Sequence, residues 1–184
     1  MIDYSFIDQL EGLEPVGSVP RAENKTALDK SGVTVRGVDL GQMGMSELDR
    51  MGLSEALTEK LRPYIGHKMQ AAIDLLDRNP LILAPEDAES LVQAKRGPLE
   101  RALKRHYNAA TGNAHTFDDL PDKWQTVIAS MATQYGPERL NKRTPNFWNQ
   151  VVARDWDAAI DNLRNFQDTT PTRRNREADY LAGP

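Results

Sequence analysis

Apolar residues along this chain recur mostly at helical intervals. Over residues 4–13 they fall at Phe6, Ile7, Leu10 and Leu13, with Gly12 beside the end, which predicts a short amphipathic helix. Between residues 14 and 44 the pattern breaks up. Pro15, Gly17, Pro20, Gly32, Gly37, Gly41 and Gly44 punctuate it, and Val33-Thr34-Val35 is a short β-prone run. This stretch is expected to be irregular and partly β, and to hold the one plausible sheet. From Ser46 onward the helical period returns almost without interruption. Ser46 and Ser54 are placed as N-caps, each followed by acidic residues. Residues 66–77 carry Met69, Ile73, Leu75 and Leu76 at helical spacing. Residues 85–107 open on Pro85-Glu86-Asp87 and then meet Gly97-Pro98, which is expected to split or kink that helix. Residues 122–135 and 146–166 form the two clearest amphipathic helices, and a last one is expected over 173–181. Trp124, Trp148 and Trp156 occupy apolar helical positions and are assigned to the core.

Helices with one minor sheet point to an α+β architecture in a single domain spanning 1–184. A small N-terminal lobe, roughly 1–60, would carry the sheet, and a larger helical lobe, roughly 61–184, the rest. A plain helical bundle would not need some thirty Gly- and Pro-punctuated residues near its start. Long irregular stretches inside compact domains are usually functional.

Composition narrows the chemistry. The 184 residues include no cysteine, which excludes disulfides, zinc knuckles, thiol nucleophiles and iron–sulfur ligation. His67, His106 and His115 are scattered without metal-ligand spacing, so no metal and no cofactor are expected. A formal charge of −4 argues against general nucleic-acid binding, which draws its affinity from phosphate neutralisation. No apolar run is long enough for membrane insertion, and Met1-Ile2-Asp3-Tyr4 does not open as a secretory signal. Synthesis in the cytoplasm without a signal peptide is the expectation. Lys95, Arg96, Arg101, Lys104 and Arg105 form a basic cluster, read as a solvated helix face.

The G-x-S-x-G elbow, the Walker loop, the H-E-x-x-H pair and the G-x-G-x-x-G turn are all absent. What remains is a glutamate ending the first helix, Glu11, followed by a Gly-rich β-prone loop that carries Thr34 and Asp39. Paired carboxylates are what glycoside hydrolysis requires. One gives a proton to the leaving oxygen, and the other activates water or stabilises developing positive charge.

Three runs carry a family resemblance: Glu11-Gly12-Leu13, Gly17-Ser18-Val19-Pro20, and Ser31-Gly32-Val33-Thr34-Val35-Arg36-Gly37-Val38-Asp39-Leu40-Gly41-Gln42. They resemble pesticin and its relatives, bacterial toxins whose activity domain has the phage-lysozyme fold. The C-terminal half is similar to phage-type lysozymes. Leu120-Pro121-Asp122-Lys123-Trp124-Gln125 through Gln134-Tyr135-Gly136 resembles their central core helix and its exit. Phe147-Trp148-Asn149 and Trp156-Asp157-Ala158-Ala159 resemble the helix that follows, and Thr170-Pro171-Thr172-Arg173-Arg174 the closing segment. The resemblance runs in order over roughly 10–181, with residues 46–114 adding least.

The resemblance implies a phage-lysozyme-like fold and muramidase activity, cleavage of the β-1,4 bond between N-acetylmuramic acid and N-acetylglucosamine. Glu11 matches the general acid and Thr34 the threonine that positions water or sugar. Asp39 matches the second carboxylate of the pesticin branch. The interval from Thr34 to Asp39 is one residue shorter than usual there. Glu23 and Asp29, in the preceding loop, are therefore the fallback second carboxylates, as in phage enzymes whose second acid precedes the threonine. Gln134 matches a glutamine lining the substrate cleft, and Arg173 an arginine brought against the catalytic glutamate. Gln42 either contacts sugar or ties down its loop. Inversion at the anomeric carbon is the outcome taken from the phage relatives. The partners implied are peptidoglycan glycan strands, a secretion or import carrier such as a type VI machine, and an immunity protein in the producer. The setting favoured is an antibacterial effector acting in the periplasm of a target cell. The alternative is a catalytically weak lysozyme-fold module that binds cell wall or a partner protein.

Overall fold

The computed structural model describes residues 1–11, 14–20 and 30–183. The chain forms two compact units, one of residues 11–97 and one of residues 1–10 with 98–184, each with its own apolar core.

The unit of residues 11–97 holds the sheet among the described residues, an antiparallel hairpin of β1 (Thr34–Val35) and β2 (Val38–Asp39). A 3₁₀ turn over Leu40–Gln42 follows it. Helices α2 (Met45–Arg50), α3 (Glu55–Leu61) and α4 (Met69–Arg78) come next, then the first part of α5 (Pro85–Ala110). Val35 and Val38 face each other across the hairpin and are both buried, joining Val33, Leu40, Leu48, Leu57, Leu61, Leu81 and Leu91 in the core. The segment before the hairpin is stitched in by backbone bonds. Gly17 N–H donates to Leu81 O at 2.7 Å, Leu83 N–H to Pro15 O at 2.9 Å, and Ser18 and Thr34 exchange bonds of 2.9 and 2.7 Å.

The second unit is built around α6 (Asp122–Tyr135), whose residues 124–132 are all buried. A helix covered on every side must bury its polar groups with partners. Gln125 Nε2 donates to Leu120 O at 2.8 Å, Thr126 Oγ1 to Asp122 O at 2.8 Å, and Ser130 Oγ to Glu177. Around it lie α1 (Tyr4–Glu11, all but its last residue), α7 (Leu140–Arg143), α8 (Pro145–Ala153), α9 (Trp156–Arg164) and α10 (Pro171–Ala182). Trp124 and Trp148 are buried, and Trp156 stacks on Trp124 at 4.4 Å between ring centroids, so the tryptophans are core as expected.

Helices with one small sheet are the α+β class expected, but several details differ. Ser54 caps α3, accepting from Leu57 N–H at 3.2 Å. Ser46 is no cap: α2 already begins at Met45 behind Gly44, which puts the serine inside its first turn. The helix foreseen over 146–166 is two, because Arg154 turns left-handed at φ 58° and Asp155 then caps α9 through Ala158 N–H at 3.3 Å. Pro98 does not split α5, which runs through it to Ala110. The border between the units falls at 97–98, not near residue 60, because α4 and the opening of α5 put Ala72, Ile73, Ala88 and Leu91 into the hairpin's core.

Candidate active site

The hairpin turn explains how Thr34 and Asp39 come together. With Val35 paired to Val38, the loop is two residues long, Arg36 and Gly37, and both have positive φ, 50° and 72°. That is the type I′ pattern whose twist suits a hairpin. It sets Thr34 directly opposite Asp39. Residues opposite one another across an antiparallel pair share a face. With the two valines taken into the core, Thr34 and Asp39 occupy the other face, and both remain partly exposed.

Asp39 also braces the loop. Its Oδ1 accepts from Gly41 N–H at 2.9 Å and from Gly32 N–H at 3.2 Å, while Oδ2 receives only a long bond of 3.3 Å from Gly32. These bonds require close backbone contact. A Cβ on Gly32 would sit 2.4 Å from the Gly41 Cα, and one on Gly41 would sit 2.5 Å from His67 O. Thr34 Oγ1 reaches Gly32 O at a long 3.4 Å. Gln42 Nε2 donates to Lys30 O.

Glu11 ends α1 and belongs to the same compact unit as the hairpin, with its Oε1 buried from solvent. Lys95, from α5, acts on these groups through its charge. Its ammonium donates to Gly37 O at 2.7 Å, at the tip of the hairpin. Burial holds its pKa below the ordinary lysine value, against the opposing pull of Glu11 first, then Asp39 and Glu47. Lys95 belongs to the basic cluster expected to form a solvated helix face. The helical spacing contains the signal that it belongs elsewhere, since Lys95 lies four residues after Leu91 and seven after Ala88, both buried. Two other members of that cluster pair at the surface: Lys104 bonds Glu100 at 3.1 Å and Asp118 at 2.8 Å, and Arg105 lies 3.7 Å from Glu138.

Gln134 and Arg173 lie in the other unit. Gln134 is exposed near the end of α6, with Nε2 3.5 Å from Thr170 Oγ1. Arg173 donates to Ser130 Oγ at 2.9 Å and to Glu177 Oε1 at 3.3 Å. A buried ionic network that sequence reasoning did not foresee surrounds it. Arg174 and Glu177 are fully buried and paired, Arg174 also bonds Asp168 at 3.1 Å, and its guanidinium lies 5.6 Å from the Phe166 ring centre. Tyr135 donates to Asp168 at 2.7 Å, and its phenol is pushed up to about 12 by burial and by that carboxylate. Glu23 and Asp29, the fallback carboxylates, lie outside the described residues. Among the described residues no group of three His, Asp or Glu is arranged to hold a metal ion, and no helix is long and apolar enough to cross a membrane.

No curated protein matches the sequence. A family model does: the one for Pesticin, described as "Bacterial toxin homologue of phage lysozyme, C-term", matches residues 1–157, and the chain belongs to that family.

Proposed function

We propose that this chain is a peptidoglycan muramidase, cleaving the β-1,4 bond between N-acetylmuramic acid and N-acetylglucosamine with Glu11 as proton donor and Asp39 as the second carboxylate. The observation that carries the reading is the cross-strand pairing of Thr34 with Asp39, in the same compact unit as Glu11, in a member of a family of phage-lysozyme homologues. In the reaction Glu11 gives its proton to the glycosidic oxygen as the bond from C1 breaks, and charge develops on the sugar ring. A water held by Thr34 Oγ1 attacks C1, and its proton passes to Asp39. Oδ2 of Asp39 suits that acceptor role, since Oδ1 takes the shorter amide bonds. The same reading makes the chain an antibacterial effector that acts in a target cell's periplasm, with a carrier to bring it there and an immunity protein to protect the producer.

A second reading has a specific observation in its favour. The bonds from Gly32 and Gly41 make Asp39 a loop brace, which suits a lysozyme-fold module that binds wall with little turnover. Incubating purified peptidoglycan with wild type, Glu11→Gln and Asp39→Asn, followed by muropeptide analysis, separates the two. The enzyme reading expects wild type to release muropeptides, with Glu11→Gln slower by about a hundredfold or more, the scale of a lost general acid. Silence from all three proteins, with retained pelleting on sacculi, would establish the binding module instead.

A further inference from the structure

Lys95 reaches the hairpin tip from α5 with its charged ammonium at hydrogen-bond distance from a backbone carbonyl. Three observations converge on it. Its Nζ sits 2.7 Å from the Gly37 carbonyl, inside the two-residue turn that sets Thr34 opposite Asp39. The turn is tied to the same helix a second time, since Arg36 Nη2 lies 3.8 Å from Glu89 Oε2. The charged groups that act on the Lys95 ammonium are Glu11, then Asp39, then Glu47. Two of those three are the carboxylates to which the reaction has been assigned. An ammonium withdrawn from water interacts with its neighbours more strongly than one on the surface, because solvent screens it less.

We propose that Lys95 is a positioning residue of the active site: its ammonium pins the Gly37 carbonyl, holds the hairpin so that Thr34 and Asp39 keep their shared face, and sets one positive charge against the Glu11 and Asp39 pair. This rests on the muramidase reading for its consequence in turnover, but not for the pinning itself. Lys95 touches no reacting atom. It acts through the turn and through the electrostatic balance of two carboxylates, so its removal slows the chemical step more than it weakens glycan binding.

The test compares wild type, Lys95→Met and Lys95→Arg, with Glu11→Gln as the reference for lost chemistry. Methionine keeps most of the aliphatic stem and removes both donor and charge, whereas arginine keeps both. Initial rates on solubilised glycan strands yield kcat and KM separately, and circular dichroism reports the fold. A charge-assisted hydrogen bond of this kind sets the expected loss for Lys95→Met at about tenfold or more in kcat, with KM within about threefold of wild type. Lys95→Arg recovers at least half of that loss on a logarithmic scale. A folded Lys95→Met enzyme within about twofold of the wild-type kcat overturns the proposal. Should Lys95→Met not fold, Lys95→Arg decides: folded and active supports the proposal, folded and as slow as Glu11→Gln overturns it. Amide hydrogen exchange distinguishes this from failure of the muramidase reading itself. If wild type cleaves nothing, that reading falls, yet pinning still predicts that the Leu40 and Gly41 amides exchange about tenfold faster or more in whichever Lys95 variant folds with the donor displaced, while α6 keeps its protection. Unchanged exchange at those amides would remove the pin as well.

Discussion

Gly32 and Gly41 approach each other backbone to backbone, with His67 O pressed against the same point. That contact lets the amides of both glycines donate to one Asp39 carboxylate. A methyl group at Gly41 has to displace main chain, not a flexible side chain, so Gly41→Ala is expected to destabilise the unit of residues 11–97 by ~1–3 kcal/mol. Urea denaturation measures that loss, and turnover falls with it because the hairpin moves. In the other unit the informative residue is Asp168. Burial alone would raise its pKa, but bonds from Tyr135 and Thr170 and the charge of Arg174 hold it below its ordinary 3.8. The folded state therefore binds this proton more weakly than the unfolded chain. The stability it adds is present above 3.8 and is lost as pH falls through the lower folded value. Asp168→Asn is expected to cost about 1.5–3 kcal/mol near neutral pH, since the Asp168 side chain is nearly buried against Arg174. The gap in melting temperature between wild type and variant should close as pH drops below 3.8. A gap that stays constant down to the acid limit would show that the charge of Asp168 contributes nothing.

Helix α5 carries the conflict at the scale of elements. Pro98 lies inside it, lacking an N–H and crowding the carbonyl one turn back, yet the helix continues to Ala110. The apolar anchors on both sides explain this: Leu91 is buried in one core and Leu103 and Tyr107 in the other, so packing holds the helix where propensity would break it. Pro98→Ala is therefore expected to stabilise the protein, by up to ~3 kcal/mol in thermal or chemical unfolding. The same competition sets what was legible in the sequence. The first helix, the central α6 and the strand at Val35 could be read because their spacing and composition agree with their burial. The break between α8 and α9 could not, because it depends on one left-handed Arg154, a residue with no preference for that conformation. Thr34 and Asp39 were found through motif resemblance, but the pairing that sets them face to face is a product of turn geometry and register. Lys95 was missed because a charge inside a basic run reads as solvated. Its helical spacing from Ala88 and Leu91, both buried, is the signal that sets it apart from that run.

Across the whole molecule, two apolar cores serve different ends. One surrounds α6 and encloses the Arg174–Glu177 network, and the other supports a two-residue turn and the face that carries Thr34 and Asp39. The family match covers residues 1–157, so it takes in Glu11, the hairpin and Gln134, while Arg173 lies beyond it. The chemistry assigned to this chain needs no thiol, metal or organic cofactor, only carboxylates and a hydroxyl. Two features define it: the bond that is cut and the residue that protonates it. The most direct measurement is borohydride reduction of digested peptidoglycan followed by identification of the new reducing-end sugar. Muramitol is expected from the wild-type digest and none above background from Glu11→Gln. Glucosaminitol in its place, or equal muramitol from both proteins, would contradict it.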